Sequence, residues 1–118
     1  MKTSELTGAA LDWAVAKCEG PNSVASCYYS EDNVPLCLEE APEPLWEPST
    51  DWAQGGPIIE RECMWFKHGP STGWEAIHGL FLFPNCITGM GPTMLIAAMR
   101  CYVASKLGDN IDIPEELT

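Results

Sequence analysis

Between Ser4 and Cys18 apolar residues return every three or four positions, at Leu6, Ala10, Trp13 and Ala14, with Ala9, Leu11 and Val15 widening the stripe. That period is the helical one, so the spacing predicts a first helix here. Thr3 or Ser4 offers a cap for its start, and Gly20-Pro21 a stop, because proline cannot continue the hydrogen-bond ladder. From Pro21 to Pro48 neither the helical nor the strand period holds. Four prolines (35, 42, 44 and 48), the adjacent Tyr28 and Tyr29, and Glu39, Glu40, Glu43 and Glu47 read as a long acidic loop with at most one short helical turn.

Ile58 to Phe66 and Trp74 to Phe83 are rich in β-branched and aromatic residues, and Lys67 to Gly73 between them supplies turn chemistry. The pattern predicts an antiparallel hairpin with Trp65 and Trp74 facing each other in the core. On the second strand Trp74, Ala76, His78, Leu80 and Leu82 share one face, while Ile77, Phe81 and Phe83 share the other. Pro84 to Met90 reads as a loop. Gly91-Pro92 then opens a second helix in an N-cap and first-position arrangement, with Leu95, Met99, Tyr102 or Val103, and Leu107 as its stripe and Gly108 as its C-cap. Ile111 and Ile113 alternate with polar residues before Pro114, which permits a short edge strand. The expected architecture is α+β: an N-terminal helix, a small antiparallel sheet, a C-terminal helix packed on the sheet, and the long loop 21–48.

Length and charge narrow the functional classes. At 118 residues the chain suits a single domain, 1–118, with one core. The formal net charge is −11, and residues 31–62 hold nine acids against Arg61 alone. Such a surface disfavours direct nucleic-acid binding and adhesion to an anionic membrane, and fits a basic protein partner better. Nothing approaches the roughly 20 apolar residues that span a bilayer. The six cysteines (18, 27, 37, 63, 86 and 101) form no Cys-x-x-Cys pair and no zinc-ligand spacing with a histidine, so neither a metal nor another cofactor is expected. No export signal precedes them, and reduced thiols follow from that reading.

Two stretches carry candidate chemistry. In Asp51-Trp52-Ala53-Gln54-Gly55-Gly56 the glycines allow close backbone approach, Trp52 offers a flat face and Gln54 an amide that reads a hydrogen-bonding edge. The competing account is a tight turn with Trp52 plugging the core and Asp51 bonding its own loop. At Gly91-Pro92-Thr93 a helix start presents unpaired N–H groups, and residues 92–107 carry Arg100 and Lys106 but no acid. The plainer reading is that these residues only begin a helix. The ligand-site candidates are therefore Trp52, Gln54, Gly55, Gly56, Thr93 and Arg100, for a small anionic, nucleotide-like ligand. His68 reads as a solvent-facing turn residue and His78 as a satisfied core histidine. No nucleophile–base pair or paired carboxylate stands out, so an enzyme is the lesser expectation. The alternative is an interaction module that presents acidic residues 31–62 to a host or phage DNA-handling protein. A homo-oligomer hiding one apolar sheet face is a further expectation.

The blocks "TSELTGAALDWAVAKCEG" (3–20), "STDWAQGGPIIERE" (49–62) and "GPTMLIAAMRCYVASKLGD" (91–109), followed by "IPEEL", together resemble the NinX-like family of small proteins from lambdoid phages and prophages. The resemblance implies a cytoplasmic phage accessory protein acting in an infected bacterium, and brings no activity or catalytic residue with it. Met94 stands where the family commonly has a second proline, and segments 21–48 and 63–90 follow no family pattern. The three blocks would meet if both helices packed on the sheet with segment 49–57 beside the start of the second helix.

Overall fold

A computed structural model describes residues 1–20, 46–79 and 86–117. Helix α1 runs Gly8–Glu19, α2 Trp52–Glu62 and α3 Met94–Leu107, and strands β1 (Trp65–Gly69), β2 (Gly73–His78) and β3 (Ile87–Gly91) form an antiparallel sheet in that order. This is the expected α+β arrangement, with α3 packed on β2 and β3 and touching α1 and α2 as well. The acidic residues 31 to 43 and most of the expected loop 21–48 lie outside the described residues.

The first helix follows its stripe: Leu11, Ala14 and Val15 are fully buried, with Ala10 and Trp13 nearly so, and Leu6 is buried just ahead of it. It begins later than Thr3 or Ser4, however, after a single 3₁₀ turn at Thr3–Glu5 and with Thr7 at its N-cap. Thr3 instead ties two segments together, its N–H donating to Asp109 O at 2.8 Å and its hydroxyl to Gly108 O at 2.7 Å. The expected edge strand after Asp109 reduces to one bridge, Lys2 to Asn110.

The predicted strand 58–66 is mostly helix. Asp51 caps α2 by accepting from Ala53 N at 2.9 Å, and the turn closes at Cys63, whose left-handed φ of 52° lets its N–H and that of Met64 reach back to Ile59 O. Ile58 and Ile59 have strand propensity, yet Ile58 is the residue that α2 buries, and burial outweighs local preference. Gly55 allows this, since a Cβ there would run into the Pro48 carbonyl and the Leu95 side chain.

The hairpin itself is real but shorter and shifted. β1 starts at Trp65 and meets β2 through the three-residue turn 70–72, closed by Gly73 at φ +76°, a conformation that favours glycine. Trp65 lies opposite Ile77 and Trp74 opposite His68, so the two tryptophans do not face each other, and Trp65 is exposed. His68 belongs to β1 rather than the turn and remains exposed, its ring 4.6 Å from that of Trp74. Of the predicted second strand, residues 80–83 lie outside the described residues.

The stretch read as loop before Gly91 contains β3. Its glycine is tertiary in origin: a Cβ on Gly89 would collide with the α3 backbone at Ala97 and Cys101, so the strand lies directly against the helix. Gly91 then belongs to β3, not to the helix, and Thr93 is the N-cap, with its Oγ1 accepting from Ile96 N at 3.1 Å. Beyond this start α3 follows its stripe, burying Leu95, Met99, Tyr102 and Val103, and ends at Gly108.

Candidate functional site

The start of α3 and the residues leading into α2 enclose an open groove of about 380 Å³. Ser49, Thr50 and Trp52 line it on one side, Trp74 of β2 on another, and Pro92 to Ile96 at its end. Segment 49–52 is thus beside the helix start, as the family blocks suggested, although α1 packs against α3 rather than the sheet. Trp52 is 53% exposed, which removes the core-plug account of this residue. Asp51 bonds Ala53 N as the cap of a helix, not within the tight turn of the plainer reading.

The wall that carries Ser49 is fixed by α1. Asp12, buried in that helix, accepts from Ser49 N at 2.9 Å through its carboxylate, and its backbone carbonyl accepts from Trp46 Nε1 at 3.0 Å. Burial pushes the Asp12 carboxyl up to about 6 against the opposing pull of Ser49. The Ser49 hydroxyl, 1% exposed, has no hydrogen-bond partner of good geometry among the described residues.

The six sequence-derived candidates divide. Trp52 and Thr93 share the groove. The hydroxyl of Thr93 caps α3 through Ile96 N, which leaves the N–H groups of Met94 and Leu95 as the helix's open donors. Gln54 points its Oε1 at Glu47 N, 2.6 Å away, and braces the approach to α2. Gly55 is a packing glycine, while Gly56 has open space with only the Trp52 ring near its Cβ position. Arg100 lines a different cleft, together with Lys2. Gly91 borders that cleft and Pro92 the groove, so the turn between β3 and α3 adjoins both.

Sequence reasoning missed Trp74, Ser49 and Lys2. In the sequence Trp74 reads as half of a core pair, and Ser49 carries no apolar signal of its burial. Lys2 enters through a bridge to residue 110, a pairing that no local pattern announces.

The remaining titratable groups form a brace rather than a reactive centre. Arg61 holds both Glu19 oxygens at 3.1 and 2.8 Å and Glu62 at 3.0 Å, and Tyr102 Oη donates to Glu19 at 2.7 Å. His78 ends β2 and is partly exposed rather than a core histidine, but it is satisfied as expected, with Nε2 3.0 Å from the other Glu62 oxygen. Burial alone would raise Glu62, but hydrogen bonds from Arg61 and His78 outweigh it and hold the carboxyl below its usual range. The Cys18 and Cys101 thiols are pushed up to about 12 by burial, which makes them poor nucleophiles. The four described cysteines are free thiols. Among the described residues no three metal-ligating side chains converge, and no helix is long and apolar enough to cross a membrane.

An α+β chain with this groove at a helix start belongs among small phage-encoded proteins on the strength of one comparison. The family described as "Bacteriophage P22, NinX" matches residues 2–106, and the chain belongs to that family. No curated protein matches it.

Proposed function

We propose that this NinX-family protein is a non-enzymatic phage accessory that binds a small anionic, nucleotide-like ligand in the cytoplasm of the infected cell and so sequesters a host signal. The supporting observation is the meeting of Trp52 and Trp74 in one groove at the N-terminus of α3. Exposing half of the largest apolar side chain to water is unfavourable unless something covers it, and an indole face suits a planar ring. The open N–H groups of Met94 and Leu95 offer a place for the ligand's charged or acceptor end, with no acid from residue 92 to 107 to repel it.

The test is to purify the protein from infected and uninfected cells, release bound material by denaturation and weigh it by mass spectrometry. A stoichiometric nucleotide-like mass, strongest after infection and lost in Trp52→Ala, is the expected result. A chain that arrives empty of small molecules and holds a host polypeptide overturns the reading in favour of the acidic interaction surface.

A further inference from the structure

The groove does not account for Arg100. Its Nε donates to Leu6 O at 2.8 Å and its Nη1 to Met90 O at 2.7 Å, so the guanidinium plane is fixed between the N-terminal segment and β3. That clamp uses two of the five N–H donors of the fork, and Nη2 has no protein acceptor among the described residues. Lys2 lines the same open cleft, of about 600 Å³. It is placed there by its bridge to Asn110 and by the bond from Thr3 N to Asp109 O.

The charge distribution makes this pairing informative. The chain has only six basic residues under a net charge of −11. Arg61 is held by two glutamates and the Lys17 ammonium lies over the Trp13 ring; Lys2 and Arg100, like Lys67 and Lys106, have no carboxylate within ion-pair distance among the described residues, and Lys2 and Arg100 are the two that share a cleft. A purely structural clamp explains Arg100 but not the second cation beside it. The remaining lining combines Ser4, Thr88, Asn110 and a single acid, Asp109, with the apolar Met90 and Ala104, and holds no aromatic ring.

We propose that this cleft is a second binding site, separate from the tryptophan groove, for a hydroxyl-bearing small molecule that carries a phosphoryl group. A guanidinium edge and an ammonium are the pair that recognises a phosphoryl dianion, one by fixed geometry and the other as a point charge. The volume lies within the range of small-molecule sites, and bare phosphate would leave most of it to water. Hydroxyl and amide side chains match a polyol rather than a ring.

The experiment titrates the full chain, labelled with ¹⁵N, with ribose 5-phosphate, inorganic phosphate and ribose in turn at constant ionic strength. Saturable amide shifts at Thr88 to Gly91 are expected with both phosphates, several-fold tighter for ribose 5-phosphate, and none with ribose. Lys2→Gln, which breaks no described side-chain bond, should weaken binding about three- to tenfold. Asp109→Asn should tighten it, and Trp52→Ala should leave it unchanged, so this site and the groove fail independently. Absence of saturable shifts, or full affinity in folded Lys2→Gln, overturns the site. Equal affinity for inorganic phosphate overturns the polyol assignment. Arg100→Gln is the less decisive variant because it also removes the clamp.

Discussion

Asp12 is a carboxyl group buried inside a helix, its carboxylate accepting from Ser49 N–H at 2.9 Å. Because its pKa is raised to about 6, the folded chain keeps the proton between pH 4 and 6 when the unfolded chain has released it. Stability from this group is therefore present at acid pH and is lost as pH rises through about 6, by up to about 3 kcal/mol for a shift of this size. Asp12→Asn retains an oxygen for Ser49 N–H and adds an N–H that the buried Ser49 hydroxyl can accept. Thermal melts should show the variant more stable than the parent at pH 7.5, with the advantage gone near pH 4. A variant less stable than the parent at every pH would count against this account. None of this was legible from the sequence, where Asp12 looks like the polar face of an amphipathic helix and Ser49 like part of a solvated loop. Both are buried because segment 46–50 folds back over α1, and local periodicity carries no information about such a return.

Among the elements, α1 and α3 were readable because their stripes are long and each ends at a glycine. The elements that were missed share one cause: a residue whose local meaning is opposite to its tertiary one. Gly55, Gly56 and Pro57 signal a break, yet they lie within α2 because Gly55 lets that helix approach Pro48 and Leu95. Gly89 signals a loop, yet it lets β3 lie on α3. Gly89→Ala should accordingly be severe, since the added methyl meets helix backbone that cannot rotate away. A loss of about 3 kcal/mol in denaturant unfolding is expected, at the upper end for overpacking. Thr93→Ala removes only the cap bond to Ile96 N and should cost about 1 kcal/mol. If Gly89→Ala proved the milder of the two, the close packing of β3 on α3 would be wrong.

Across the whole molecule, three helices converge on one set of charges. Glu19 ends α1, Arg61 and Glu62 end α2, and Tyr102 sits in the middle of α3, its hydroxyl donating to Glu19 and accepting from Arg61 at 3.0 Å. In the sequence Glu19, Arg61 and Glu62 read as ordinary solvent-facing charges and Tyr102 as part of an apolar stripe, and only the packing of the helices makes them partners. The same is true of the candidate sites. Trp52 and Thr93 were legible because their own chemistry is distinctive, whereas Trp74 and Lys2 acquire a role from what the fold sets beside them. The Arg61 brace gives a test of that convergence. The Glu19 side chain is 3% exposed and Arg61 49%, so Arg61→Met leaves a carboxylate out of water with only the Tyr102 hydroxyl to serve it. Half-exposure of the arginine limits the effect, and a loss of about 2 kcal/mol is expected, below the 3–5 typical of a fully buried pair. Adding Glu19→Gln to Arg61→Met removes the stranded charge and should recover part of the loss. A double-mutant cycle by thermal unfolding measures this coupling, and strictly additive effects would show that the two residues do not act as one brace.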